Sequence, residues 1–284
     1  MKTPFCLTVM HLLVAFFCFA GEPPLRIVDA GIQVAEDGPF VAGNYAFMPG
    51  EPVYFSFQVA GYQIERSSPE TRRVKLDFTI QLADGEGTLL TPPVTGRVEE
   101  ELNDEDKDWL PKRRAVLQLP PYIAFGDARL TISLTDLVAH VTVSRTLPLR
   151  LGGEKLLPSA TLEIQAFRFY RSDDDREPIQ VAAYRPGDIV WTRFDVTGFK
   201  AGPKNSHRVE YGLQVIAPDG HAALVQELAS EGDSESFYPP PFIPGTLSLP
   251  TRADMSAGQY TIVLTARDMV GKQSFTGRYG FTLE

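Results

Sequence analysis

The sequence contains two copies of one pattern, and this repeat limits the fold more than any other feature. Segment 49–62, PGEPVYFSFQVAGY, recurs as segment 186–199, PGDIVWTRFDVTGF. Further blocks match in the same order: 74–85 with 209–220, 117–120 with 247–250, 130–135 with 260–265, and 147–151 with 279–283. Colinear matches of this kind predict a domain that was duplicated within the chain.

The matched blocks alternate apolar and polar residues with period two. In segment 74–82 the residues Val, Leu, Phe, Ile and Leu occupy every second position, with Lys, Asp, Thr and Gln between them. This pattern is typical of a strand with one buried and one solvated face. Turn signals such as Asp84-Gly85 and Asp219-Gly220 separate the blocks, and no helical period intervenes. The sequence therefore predicts an all-β fold with two packed antiparallel sheets in each copy.

The first copy ends at a flexible joint that contains Gly152 and Gly153. We expect a signal peptide at residues 1–20, a first β-sandwich domain at 21–153 and a second at 154–284, the internal duplicate of the first.

The signal-peptide prediction depends on Lys2, an apolar run over 5–19, and small residues Cys18 and Ala20 before the expected cleavage site. The run is short for a membrane span of roughly 20 residues, although an uncleaved N-terminal anchor is the alternative. No later segment is apolar enough to cross a bilayer. These features predict an extracytoplasmic location, in the periplasm, at the cell surface or in the medium.

Cysteine use and charge exclude several classes of chemistry. Both cysteines, Cys6 and Cys18, lie in the predicted leader, so we expect no disulfide, thiol catalysis or thiolate metal site in the mature part. The formal net charge of −9 gives no overall attraction for nucleic acid. The predicted domains must therefore be stabilised by burial of apolar side chains.

One motif in the second copy resembles a known family. The approach Asp254-x-x-x-Gly258-x-Tyr260 is similar to the entry into a central strand of immunoglobulin-like domains, where the tyrosine hydroxyl bonds back onto the preceding loop. Leu130 stands in place of this tyrosine in the first copy. Together with the Pro-Gly entry and Asp-Gly turns, the motif resembles bacterial immunoglobulin-like or macroglobulin-like modules. The resemblance implies a disulfide-free immunoglobulin-like β-sandwich in each copy.

The sequence offers little material for an active site. After the leader, its histidines are His140, His207 and His221, in separate contexts, and no nucleophile elbow, phosphate loop or dinucleotide fingerprint is present. We therefore expect no enzyme, no catalytic residue, no cofactor and no metal site. The acidic stretches 99–109 and 173–175 are interpreted as solvated loops, with calcium binding as the alternative.

Two aspartates, Asp136 and Asp268, end matching strands. They are interpreted as turn caps, and a hydrolase site built from distant carboxylates is the alternative.

The remaining candidates are aromatic. Phe237, Tyr238 and Phe242 flank a run of prolines and form a candidate interaction loop, unless they cover a sheet edge or fill the contact between the domains. Trp109 and Trp191 are candidate exposed aromatics. We expect a non-catalytic exported binding or structural protein that presents its domains to a protein or an envelope polymer. The alternative is a carbohydrate-binding or accessory module of secreted hydrolases.

Overall fold

The computed structural model describes residues 24–66, 68, 71–106, 109–153, 155–157 and 159–284. The predicted signal peptide at 1–20 lies outside the described residues. The described part forms seventeen strands and two short 3₁₀ turns, at Asp104–Asp106 and Pro203–Asn205.

The strands of the first half are β1 (Arg26–Gln33), β2 (Ala46–Phe47), β3 (Pro52–Ala60), β4 (Glu65–Arg66), β5 (Arg72–Asp84), β6 (Val94–Leu102), β7 (Lys112–Gln118), β8 (Gly126–Asp136) and β9 (Val141–Leu151). Those of the second half are β10 (Glu163–Tyr170), β11 (Ala183–Tyr184), β12 (Ile189–Thr197), β13 (His207–Ile216), β14 (Ala222–Ser234), β15 (Ile243–Pro250), β16 (Gly258–Asp268) and β17 (Gln273–Leu283).

Each half pairs its strands into two sheets with the same order. In the first half, sheet β1-β3-β7 accompanies sheet β2-β9-β8-β5, whose last strand also pairs with β4 and β6. In the second half, the corresponding sheets are β10-β12-β15 and β11-β17-β16-β13-β14. The pairing is antiparallel except for β2 with β9 and β11 with β17. Within the described residues, no strand of one half pairs with a strand of the other.

This strand order is that of tandem immunoglobulin-like sandwiches. In the small sheets, β3 lies beside β7 in the first half and β12 lies beside β15 in the second. In the large sheets, β5, β8 and β9 form the centre in the first half, and β13, β16 and β17 form it in the second. The prediction of an all-β fold with two tandem antiparallel sandwiches is confirmed. The boundary at residue 153 and the origin of the halves by duplication stay predictions.

The period-two alternation corresponds to burial. In β5 every second side chain from Val74 to Leu82 is buried, and the intervening residues are half-buried or exposed. Facing strands supply Phe55, Phe57 and Leu117 to the same core. Burial of apolar area at roughly 25 cal/mol per Å² is the main stabilising term of such a domain.

The predicted corner tyrosine is also confirmed. The Tyr260 hydroxyl donates a hydrogen bond of 2.9 Å to the carbonyl of Ser256 in the preceding loop, and the ring is buried. At Gly258, φ is +141°, a conformation that favours glycine. In the first domain the buried Ala128 occupies the equivalent position, two residues after the first glycine of an equally long strand, so the sequence match of Leu130 with Tyr260 is out of register by two residues.

Asp136 and Asp268 cap equivalent turns. Both carboxylates are buried. Asp136 accepts the N–H groups of Val138 and Ala139 at 2.8 and 3.0 Å, and that of Gln63 at 2.6 Å. Each aspartate thus ties a hairpin to the loop that follows the second long strand of its domain.

Asp268 repeats this arrangement with the N–H groups of Val270, Gly271 and Lys200 at 2.8–3.0 Å. The turn-cap interpretation is confirmed. Asp136 and Asp268 do not form a shared site, because they lie in separate domains and each accepts hydrogen bonds mainly from main-chain donors.

We predict that Asp136→Ala and Asp268→Ala each destabilise their own domain by about 3 kcal/mol, because each removes the buried carboxylate that accepts three main-chain N–H groups. Chemical unfolding of single-tryptophan variants measures each domain separately, with Trp109 reporting the first and Trp191 the second. Asp174→Ala, an exposed aspartate, is the matched control and should change little. Equal effects on both domains from one substitution would contradict the prediction.

Candidate functional site: an open groove in the second domain

The predicted interaction loop is largely buried, which corrects that prediction for two of its three residues. Tyr238 is 9% exposed and Phe242 is 6% exposed, whereas Phe237 is 50% exposed. The alternative interpretation, a contact between the domains, describes Tyr238 and Phe242. Their side chains pack against the first domain and are not presented to a partner.

Tyr238 joins the two domains. Its ring belongs to the second domain but packs with the buried residues of the first, and its hydroxyl lies 3.1 Å from Asp84 Oδ2. Burial, and next the Asp84 carboxylate, raises the pKa of Tyr238 far above its ordinary value, so the hydroxyl stays a donor. Phe242 adds an edge-to-face contact with Tyr122, with ring centroids 5.7 Å apart. These contacts pack the second domain against the first.

The two tryptophans lie in different surroundings. Trp109 is half-buried against the first core, and its carbonyl accepts a 2.7 Å hydrogen bond from the Tyr62 hydroxyl. Trp191 is half-buried on the face of β12 opposite Val190 and Phe194, as its position in the strand predicts. The structure therefore does not bring the two together into one aromatic row.

The acidic loop at 173–175 is organised by its own protein contacts. Asp175 Oδ2 accepts the N–H groups of Arg171 and Ser172, and Arg193 donates to the carbonyls of Asp173 and Asp175. In the part of the chain that the structure describes, no group of three or more His, Cys, Asp or Glu side chains is placed to hold a metal ion. Residues 107 and 108 of the other acidic stretch lie outside the described part.

The two domains differ most at one side of the sandwich, where β6 faces β7 in the first domain and β14 faces β15 in the second. In the first domain, β6 turns Val98 and Leu102 into the core, and both are buried. In the second domain, no side chain of β14 is buried along its 13 residues. Val225 and Leu228 of β14 are 59% and 58% exposed. The gap between the sheets is therefore closed in the first domain and open in the second.

The open side forms a groove between the edge strands β14 and β15. Its central stretch, about 450 Å³, has core residues Phe194, Tyr211 and Leu264 in its wall. A second stretch of about 460 Å³ continues it at one end and shares Leu224 and Leu249. A third, of about 410 Å³, continues it at the other end to the contact between the domains. Eight strand residues span about 27 Å, so the groove has the length of an extended peptide.

Both edges of this groove carry unpaired backbone. β14 and β15 are terminal strands of their sheets, so one side of each is not paired with another strand. β15 includes Pro244 and Pro250, which have no N–H to donate. β14 contains no proline and no lysine, the residues that usually protect an edge against strand addition. Its pairing with β13 has two bulges, one opposite Gly212, where Arg267 donates to the carbonyl of Glu227, and one between Leu224 and Ala222.

The rim near the domain contact is acidic. Within the described residues, Lys204 pairs with Glu235 at 3.2 Å and Arg208 is shared by Glu231 and Glu210 at 3.2 and 3.3 Å, whereas Asp233 has no cationic partner. The rim therefore carries excess negative charge, which attracts a basic ligand.

His207 lies at the same end of the groove. Its Nδ1 atom is buried with no hydrogen-bond partner in the described part. Burial lowers the pKa of His207, against the opposing effect of the Asp233 carboxylate, and so favours the neutral ring.

The sequence pattern did not reveal this groove. Segment 222–229, AALVQELA, lacks the alternation that marks a half-buried strand. It also lies outside the blocks that match between the halves. The absence of a match between this segment and the first half was the signal that could have indicated the groove. A strand that buries no side chain is not constrained by core packing, so its sequence diverges from that of its counterpart.

Comparisons with known proteins do not place the chain in a family. No protein-family model matches the chain, and no curated protein matches its sequence. The described residues contain no helix long and apolar enough to span a membrane.

The solved structures that match this chain include the following three proteins. A family 123 glycoside hydrolase from Clostridium perfringens is 10% identical over 44% of this chain and 27% of its own, with a TM-score of 0.30. The C-terminal domain of the Streptococcus pyogenes antigen I/II-family protein AspA is 10% identical over 92% and 100%, with a TM-score of 0.30. The E. coli alpha-2-macroglobulin is 11% identical over 90% and 17%, with a TM-score of 0.28. The protein thus spans less than a third of the hydrolase and of the macroglobulin, and its fold assignment rests on its own strand order.

For the contact between the domains, we predict a coupling of about 1–2 kcal/mol between Tyr238 and Asp84. A double-mutant cycle of Tyr238→Phe and Asp84→Asn on the free energy of unfolding measures it. The asparagine keeps the Oδ1 acceptor for the N–H groups of Glu86 and Thr88, so the turn is preserved. Additive effects of the two substitutions would contradict a shared hydrogen bond.

Proposed function

We propose that the protein is an exported, non-catalytic binding protein whose second domain holds an extended segment of a partner polypeptide in the groove between β14 and β15. The observation that carries this proposal is the strand β14, which leaves the sandwich open where its counterpart β6 closes it. Placement outside the cytoplasm belongs to the proposal and rests on the leader-like sequence at 1–20.

The exposed backbone supports a polypeptide as the ligand. A free strand edge presents alternating N–H and C=O groups, and another extended chain satisfies them with matching spacing. Because β14 lacks proline and lysine, two of the usual obstacles to strand addition are missing, and its regular stretches on either side of the bulge opposite Gly212 are available for pairing.

The groove supports a segment with apolar side chains at alternate positions. In an added strand every second side chain points to the same face, here toward Leu224, Leu247 and the core residues beneath them. A fully buried aliphatic side chain contributes about 1.5–3 kcal/mol, so two or three such positions give appreciable affinity.

The charges support basic residues at the remaining positions. Asp233 at the rim has no cationic partner within the described residues, Arg208 is shared by Glu210 and Glu231, and the whole chain carries a net charge of −9. The carbohydrate alternative has less support, because Trp109 and Trp191 lie in separate domains and form no row of stacking platforms.

A synthetic nine-residue peptide of alternating lysine and valine tests the proposal. We expect saturable binding to the full chain by fluorescence anisotropy, with a loss of at least tenfold for Leu224→Lys and for Leu247→Lys. These substitutions place an ammonium group at the groove, and tenfold corresponds to about 1.4 kcal/mol. Thr95→Lys on the exposed face of β6 is the matched control and should leave the affinity unchanged.

The same peptide with N-methyl groups on alternate residues separates strand pairing from simple charge attraction. Because methylation removes the donors on one edge, we expect its affinity to fall at least tenfold. Equal binding of the methylated peptide, or equal binding to the two groove variants, would rule out strand addition at β14.

A further inference from the structure

The first domain is open on the side opposite to the one left open in the second. A groove of about 840 Å³ lies between β1 and the edge of β9. Its apolar wall consists of Ala30, Ile32, Val41, Phe47, Leu147 and Leu149. The volume falls in the range of about 300–1,000 Å³ that is usual for small-molecule sites.

The second domain fills the corresponding gap with aromatic rings. Asp29 and Ala166, with φ of 46° and 50°, mark the same bulge in β1 and β10, so Phe167 occupies the position of Ala30. Phe167 stacks on Tyr279, with ring centroids 3.6 Å apart and planes 4° from parallel. Tyr279 in turn stands where the first domain has Leu147. The groove therefore exists because two large rings are replaced by smaller side chains.

The loop between β1 and β2 forms the other wall of the groove. The ring of Phe40 lies directly over Gly31, where the absence of a side chain leaves room for it. Phe40 is nevertheless 59% exposed, and Tyr45, which also lines the groove, is exposed as well. Exposed apolar side chains grouped around a concavity are typical of a ligand site.

The mouth of the groove carries excess positive charge. Arg129, Arg150 and Asp127 line it, and none of the three has an ion pair or a side-chain hydrogen bond within the described residues. Two unpaired guanidinium groups against one carboxylate leave a net positive charge at this point of a chain whose total is −9. A guanidinium binds a carboxylate or a phosphate oxygen through parallel N–H donors.

We propose that this groove of the first domain binds an amphipathic anion, with its alkyl chain along the apolar wall and its carboxylate or phosphate at Arg129 and Arg150. The site is independent of the polypeptide groove, because the two lie in different domains and their rims have opposite charge. The chemistry common to the candidate ligands is one hydrocarbon chain with one anionic head.

Isothermal titration of the full chain with sodium dodecanoate tests the proposal, with dodecyltrimethylammonium and acetate as controls. We expect one dodecanoate per chain at the groove, bound at least tenfold more tightly than either control. The ammonium ion has the chain with the opposite charge, and acetate has the charge without the chain. Binding of the ammonium ion as tight as that of dodecanoate would overturn the proposal.

Two sets of variants locate the site. Ala30→Phe with Leu147→Tyr copies the aromatic filling of the second domain and should reduce dodecanoate affinity at least tenfold. Arg129→Gln with Arg150→Gln should do the same, and these exposed residues are replaced without disturbing the core. Arg278→Gln, an exposed arginine of the second domain, is the matched control. Unchanged affinity in the double-glutamine variant, with unfolding as in the unsubstituted chain, would overturn the proposal.

Discussion

In each domain the space between the two sheets has two lateral openings, and the rest of the structure depends on which of them is filled by side chains. A β-sandwich buries the facing sides of its sheets, but the lateral openings need side chains from edge strands or loops. The first domain closes one opening with Val98 and Leu102 of β6. The second closes the other with the stacked rings of Phe167 and Tyr279. Each leaves open the side that its neighbour closes, and these two openings are the concave apolar surfaces on which both proposals rest.

The contact between the domains gives these openings a defined relationship. Tyr238 places a ring of the second domain among the buried residues of the first, and its hydroxyl bonds to the Asp84 carboxylate. The polypeptide groove ends at this contact, next to Tyr122 and to His207 Nδ1, which has no hydrogen-bond partner among the described residues. A ligand that extended along the whole groove would touch both domains at that end and would stabilise their arrangement by mass action.

The sequence predicted the parts of the fold that depend on local patterns. Period-two burial in segment 74–82, the hydroxyl bond of Tyr260 and the turn-capping role of Asp136 and Asp268 follow from short-range rules, and the structure confirms them. The role of Tyr238 was left open because it depends on Asp84, which is distant in sequence and meets it when the domains pack. The grooves were missed for a related reason. A groove forms where large side chains are absent. Ala30 therefore points to a groove only when it is compared with Phe167 of the second domain, and β14 only when it is compared with β6 of the first.

β14 is an edge strand that buries none of its side chains and so leaves one side of the second sandwich open. Amide hydrogen exchange of the free protein tests it most directly, because local opening is easiest where few apolar side chains are buried. Amides of 222–234 should exchange much faster than those of the counterpart strand at 94–102, and a bound extended peptide should slow them. Equal protection of the two strands in the free protein would contradict the account.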